Sequence, residues 1–511
     1  MDVMDSLAKQ LPKLQKLASA YFKRQAKREP PPALSDGVWD AQSEPGGHYT
    51  VGLGRAPFTP SSMDVKQKTY WLAGYGTNRP AKSVHSGICA GAVYIDDNTG
   101  RGALLLISLD CVGLLRDDVQ VIRRRLSGFC ERTGCRAVNV FSTHCHAGPD
   151  TMGLWGKFPL SGRDPAFMEG LYWAACIAAE QAYVIRRDGK LYAGSIEAEG
   201  IQKDIRHPEV FCKTLSRLRF VPGDGSQETW VLNFAAHPEV MDQRNRAISA
   251  DYVHFLREKI ESERDAGVIY FNGAIGGMIT PIEINKDDFM ESCRWAGEEI
   301  ARAAMRIENE RELAPLVNLI RQELYIDLAN VLFLLGGLVG LMPRERYATG
   351  EGPLGLSVLT EMNYIEIGSG SAGDGVHILT VPGELFPELQ IGGYLSEEEA
   401  SVGGFNPLPL REMARDPDLI VFGLGNDELG YIVPPNDYML HPEKPFVEEP
   451  IDRHGRKHYE ETNSAGPMTA VRVAEAFERI LGIIGRQGAP HNHPGPAGHP
   501  STEGNCLHVE E

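Results

Sequence analysis

Short apolar runs alternate with amphipathic stretches through most of this 511-residue chain. The runs lie at 91–95, 103–109, 137–142, 229–236, 267–271, 376–381 and 419–424. Several are apolar nearly throughout, the pattern of strands covered on both faces. Helical periodicity occupies 114–133, 165–187, 251–263, 287–307, 385–394 and 466–485. Strand-then-helix order over this length predicts an α/β fold, a layered mixed β-sheet core flanked by helices. Residues 191–222 read as extra strands and loops, and an apolar insertion is expected around 308–370.

The two ends read differently from the body at 37–486. Residues 1–28 place Leu7, Leu11, Leu14, Leu17 and Tyr21 at spacings of three and four with lysines between them, so an amphipathic helix is expected. It lacks the apolar core and the small-residue cleavage site of a secretory signal. Such a helix either packs on the body or makes a peripheral contact with a membrane surface. Asp2, Asp5 and Glu29 dilute its basic face and favour packing. Pro-rich residues complete this first unit, 1–36. Residues 487–511, rich in Pro, Gly and His, bury too little apolar surface to fold and are expected to be a disordered tail. The run Leu328–Met342 is too short for a spanning helix, which needs roughly 20 residues, and glycines interrupt it. It reads as a buried helix or hairpin, or as an apolar wall beside a site for a lipid-like substrate.

Charge and cysteine usage narrow the classes. With 51 Lys+Arg against 69 Asp+Glu the net charge is −18, which argues against a nucleic-acid partner. The nine cysteines form no CxxC pair, so free thiols in a reducing, cytoplasmic setting are expected. No GxSxG elbow occurs, and no Ser-His-Asp set suggests a serine hydrolase.

Reactive residues follow the strands. His144 and His146 follow 137–142, His237 follows 229–236, Glu384 follows 376–381, and Asn426 and Tyr431 follow 419–424. The carboxyl ends of strands are where sites assemble in open α/β sheets. Residues at i and i+2 of an extended chain point the same way, so both histidines can face one small site. One can ligate a metal while its neighbour handles a proton. The alternative is a pair of buried, hydrogen-bonded histidines. With His237 and Glu384 at matching strand ends, two histidines and a carboxylate make the ligand set of a catalytic zinc.

In order along the chain stand Gly74-Tyr75-Gly76 with His85-Ser86-Gly87-Ile88, Ser108-Leu109-Asp110, Thr143-His144-Cys145-His146-Ala147-Gly148-Pro149, Ala236-His237-Pro238, Val381-Pro382-Gly383-Glu384, Gly423-Leu424-Gly425-Asn426 through Tyr431, and Tyr459-Glu460. This series resembles the neutral (non-lysosomal) ceramidase family, zinc amidases that cleave the N-acyl bond of ceramide. The resemblance covers roughly residues 48–485. It implies Zn2+ ligands His144, His237, Glu384 and Tyr431, with His146 as the proton-handling histidine. It implies that Tyr459 and Arg206 hold the scissile carbonyl, and that Gly74 and Thr280 touch substrate. It implies a place in sphingolipid metabolism and a ceramide-like or other lipid amide as substrate.

Departures leave other readings open. The family's Gly-Asp-Val-Ser-Pro turn is Gly277-Met278-Ile279-Thr280-Pro281 here, with Met278 in the place of the Asp. The expected organisation has no secretory signal and no C-terminal immunoglobulin-like domain. The alternatives are a hydrolase of a non-ceramide N-acyl metabolite or biosynthetic intermediate, amide or ester, and a non-catalytic homologue that binds a lipid or metabolite.

Overall fold

In the strand Ala103–Leu109 every residue is buried. Leu104 and Leu106 point into one apolar layer, and Leu105, Ile107 and Leu109 into another. A strand covered on both faces can afford no polar alternation. The same logic applied to neighbouring strands yields the architecture of this computed structural model, which describes residues 3–25, 30–40, 43–338, 340–368 and 375–485.

A nine-stranded mixed sheet runs in the spatial order Ala266–Asn272, Glu228–Phe234, Thr214–Pro222, Arg187–Glu197, Tyr49–Pro57, Cys89–Asp96, Ala103–Leu109 and Cys135–Ser142, with Arg311–Leu313 paired beside Arg187–Glu197. A five-stranded sheet runs Ser35–Val38, Val317–Asp327, Ser357–Ile367, Val376–Thr380 and Ile420–Phe422. Their inner faces meet in one apolar layer that includes Val93, Leu106, Phe141, Phe271, Ile365, Ile378 and Phe422. Phe271 stacks on Phe422 at 4.6 Å, and Phe141 meets both edge-on at 5.0 and 5.6 Å. Helices Arg116–Arg125, Pro165–Ile185, Tyr252–Glu263 and Phe289–Met305 cover the outer face of the larger sheet. Helix Thr469–Ile483 covers the smaller one. The order of layers is therefore helix, sheet, sheet, helix.

Within the two large sheets three strand pairs are parallel: Ala103–Leu109 with Cys135–Ser142, Glu228–Phe234 with Ala266–Asn272, and Val376–Thr380 with Ile420–Phe422. Their carboxyl ends lie at the same edge of the two sheets. The side chain of Asn426 stitches that edge together, accepting from Val140 N at 2.8 Å and donating to Asn139 Oδ1 at 2.9 Å.

Within 308–370 the part that leaves the sheets is 328–356, between two long paired strands. It holds the apolar helix Val331–Leu338. The first helix, Val3–Gln25, packs on this helix. Ala18 is buried there, Ser19 Oγ donates to Leu354 O at 2.9 Å, and the Arg346 guanidinium lies over the Phe22 ring. Leu17 and Tyr21 of the expected stripe face outward instead. Close approach needs a small residue, which Ala18 supplies. The tail expected over 487–511 lies outside the described residues. Among the described residues no helix is long and apolar enough to cross a membrane, and the eight cysteines are free thiols.

Candidate metal centre

The chain beyond Ser142 cannot continue as strand, because it must turn back over the sheet edge. Its main chain is held by the segment that follows the neighbouring parallel strand: Thr143 N donates to Leu109 O at 2.8 Å and Cys145 N to Cys111 O at 3.0 Å. His144 adopts φ = +64°, a region that L-residues seldom occupy. Such strain persists only where surroundings enforce it, and it gathers at functional sites. The result points His144 and His146 into one space, with ring centroids 4.7 Å apart.

His237 enters from the second parallel pair. Its main-chain N and its Nδ1 both face Ile279 O, at 2.8 and 2.7 Å. His144 Nδ1 faces Val112 O at 2.6 Å. A carbonyl oxygen only accepts, so Nδ1 carries the proton in both rings and Nε2 presents a lone pair. Glu384 Oε2 lies 3.0 Å from His237 Nε2 and 3.5 Å from His144 Nε2. Tyr431 stands beside Glu384 because Glu384–Leu385 and Tyr431–Ile432 form a parallel two-residue ladder with those residues in register. The Tyr431 hydroxyl donates to Met278 Sδ at 2.9 Å, so the altered turn supports this phenol.

A carboxylate oxygen facing two imidazole Nε2 atoms at these separations is an arrangement that a small cation between them can occupy. Ligands about 2.0–2.1 Å from a tetrahedral zinc are roughly 3.4 Å apart, close to the two separations here. The donor set fits a small divalent cation. His144, His146 and His237 also form a buried group whose ligand atoms lie within 4.8 Å of one another, so the three rings can hold a metal ion. His144 and His237 belong to both sets.

Electrostatics follow from burial. Desolvation pulls the His144 pKa down to about 4 against the pull of Glu384. Burial, then the neighbouring His144 and His237, hold His146 well below its ordinary range, so it is neutral at pH 7. Burial also opposes charging His237, but Glu384 and Glu239 outweigh it and its pKa is raised.

His146 is the ring left open. Both its nitrogens are buried without a hydrogen-bond partner among the described residues. Tyr75 packs edge-on to it at 5.2 Å. Glu239, absent from the expected site, has Oε2 3.5 Å from His146 Nδ1 and accepts from the Tyr75 hydroxyl at 3.2 Å. Thr280 reaches Glu239 as well and lies outside the cavity lining. The signal for Glu239 was present in the sequence: it stands two residues beyond His237, as His146 stands beyond His144.

A cavity of about 560 Å³, counted up to its open mouth, lies over the cluster. Gly74, His144, His146, Glu384, Tyr431 and Tyr459 line its polar side. Met152, Leu154, Trp155, Phe333 and Met342 line the other. Phe333 and Met342 come from the apolar run, which is therefore part of a wall of this cavity. Gly74 has φ = +88°, and a Cβ there would fall 2.2 Å from the His146 ring. Gly74→Ala should therefore lower stability by about 1–3 kcal/mol and shift the His146 ring. Urea unfolding and the His146 imidazole NMR signals check both.

Arg206 is not among the lining residues. Its guanidinium is buried and held by Glu460 at 2.6 Å, Asp437 at 2.7 Å and Glu461 at 2.9 Å. It anchors the turn Glu460–Asn463 that follows Tyr459.

No family model matches the chain. Solved structures do. A crystal structure of neutral ceramidase from Pseudomonas aeruginosa superposes with a TM-score of 0.65 at 16% identity, covering 87% of this chain and 75% of that one. A ceramidase complexed with C2 superposes with a TM-score of 0.64 at 15% identity, covering 87% and 76%. The chain has the neutral ceramidase fold.

Proposed function

We propose, from that fold and the converging side chains, that the protein is a zinc-dependent amidohydrolase that cleaves an N-acyl bond in a ceramide-like or other lipid amide. The observation that carries this reading is the meeting of His144 Nε2, His237 Nε2 and Glu384 Oε2 at metal-ligand separations beneath an apolar-walled cavity. His144, His237, Glu384 and Tyr431 would hold the metal. Zinc held there supplies Lewis acidity, polarising a carbonyl oxygen and bringing the pKa of water toward about 7.

The chain's own groups do the rest. Tyr459, at the cavity rim, donates its phenolic proton in a hydrogen bond to the carbonyl oxygen as negative charge develops there. Arg206 keeps that tyrosine in place through Glu460 and Glu461 rather than touching substrate. Neutral His146 accepts the proton released when water adds to the carbonyl carbon, then delivers it to the amide nitrogen. The C–N bond breaks, and a carboxylate and an amine leave. Glu239 stands behind His146 and favours its transient positive charge. Met152, Leu154, Trp155, Phe333 and Met342 take the aliphatic chain.

The test pairs metal analysis of the purified protein with turnover of a fluorogenic N-acyl substrate. Stoichiometric zinc and amine release are expected. Zinc without turnover on a broad panel of amides and esters would make the protein a binding homologue.

A further inference from the structure

Glu428 is a second carboxylate in the cavity that the proposed chemistry does not use. It is 4% exposed. Its Oε1 accepts from Gly430 N at 2.7 Å, while Oε2 is buried with no hydrogen-bond partner among the described residues. The nearby cation Arg344 is paired with Asp427 instead. The fifteen lining residues include no Lys or Arg. Glu384 is occupied by the two imidazoles, so Glu428 is the lining carboxylate left without a positive partner.

A buried acceptor left unmade costs free energy. Burial and then the nearby Glu384 raise the Glu428 pKa well above the ordinary carboxylate range, so its ionised form is favoured only with a cation beside it. A site that retains one is built to receive a donor from its ligand. A cation satisfies both the lone pair and the charge, whereas an alkyl chain satisfies neither. The rest of the Glu428 side chain is fixed: its Cβ and Cγ pack against Gly113, where a Cβ would come within 2.8 Å of Cγ.

We propose that Glu428 Oε2 receives a protonated amino group carried by the substrate, so that the cavity selects N-acyl amides bearing a cationic amine over neutral ones. This rests on the amidase reading and narrows its substrate class. The aliphatic chain lies along the apolar wall, and the ammonium donates to Glu428 in a charge-assisted hydrogen bond.

The experiment compares N-lauroyl diaminoalkanes of graded spacer length with the matching N-lauroyl amino alcohols. Zinc-loaded wild-type enzyme is expected to favour the best diamine derivative in kcat/KM by about 10- to 100-fold. In Glu428→Gln that ratio should collapse toward unity, and Glu428→Asp should keep part of it. A wild-type ratio near unity, or a ratio unchanged in Glu428→Gln, overturns the proposal. Calorimetric binding of dodecylamine against dodecanol gives the same comparison without catalysis. If neither amide series turns over, the amidase reading falls, and the amine-over-alcohol binding ratio in wild type and Glu428→Gln still decides the role of Glu428.

Discussion

Glu384→Gln should empty the centre of its cation and lower kcat/KM for an N-acyl substrate by about 10³-fold or more. The substitution preserves size and removes the carboxylate that faces both imidazole lone pairs, at 3.0 and 3.5 Å. An amide can turn only its oxygen or its NH2 toward them, and neither supplies the anion that a divalent ion prefers. The fold should persist, because Glu384 remains in its ladder with Tyr431 through main-chain pairing. Elemental analysis after gel filtration, with initial rates on the same sample, reads both effects. Full zinc content together with wild-type rates would remove Glu384 from the ligand set.

His146→Ala should separate proton transfer from metal binding. Loss of a positioned acid–base group costs about 10²- to 10⁴-fold in kcat, and the zinc content is expected to stay at the wild-type level. The reason lies in the hydrogen bonds. Val112 O and Ile279 O fix His144 and His237 with Nε2 toward the centre, whereas no partner among the described residues fixes either nitrogen of His146. Parallel loss of zinc would instead make the three histidines the ligand set, since their ring atoms lie close enough to share an ion. His144→Ala provides the comparison, because it should lose metal under either arrangement.

Much of the scaffold was legible because burial on both faces leaves a clear mark. The run Ala103–Leu109 could hardly be anything but a covered strand, and the helices Phe289–Met305 and Thr469–Ile483 carry a strong 3.6-residue pattern. Pairing left no such mark. Periodicity cannot tell that 376–381 and 419–424 join one sheet while 137–142 and 267–271 join another. The first helix shows a related limit. Its spacing marked Leu17 and Tyr21, but contact with helix Val331–Leu338 selects the face with Ala18.

In the site, the His144-x-His146 pair and the strand-end positions of His237 and Glu384 could be read directly. Glu239 follows the same i, i+2 rule beyond His237, across an intervening proline. Glu428 lies in an irregular turn, where an acidic residue looks like any solvated loop residue until the cavity is seen. Arg206 is implied only by the family resemblance. Its surroundings of three carboxylates depend on Asp437, Glu460 and Glu461, which are distant in sequence.

The two imidazoles His144 and His237 come from the nine-stranded sheet, and Glu384 and Tyr431 from the edge of the five-stranded one. On the proposed ligand set, an ion gripped by all four would rivet both halves of the sandwich together. Loss of the ion and separation of the sheets would then be one thermodynamically linked event, since whatever binds only the native state raises its stability with concentration. Melting behaviour then becomes a gauge of free metal in the surrounding solution, and scarcity of zinc would weaken the scaffold as well as silence the chemistry.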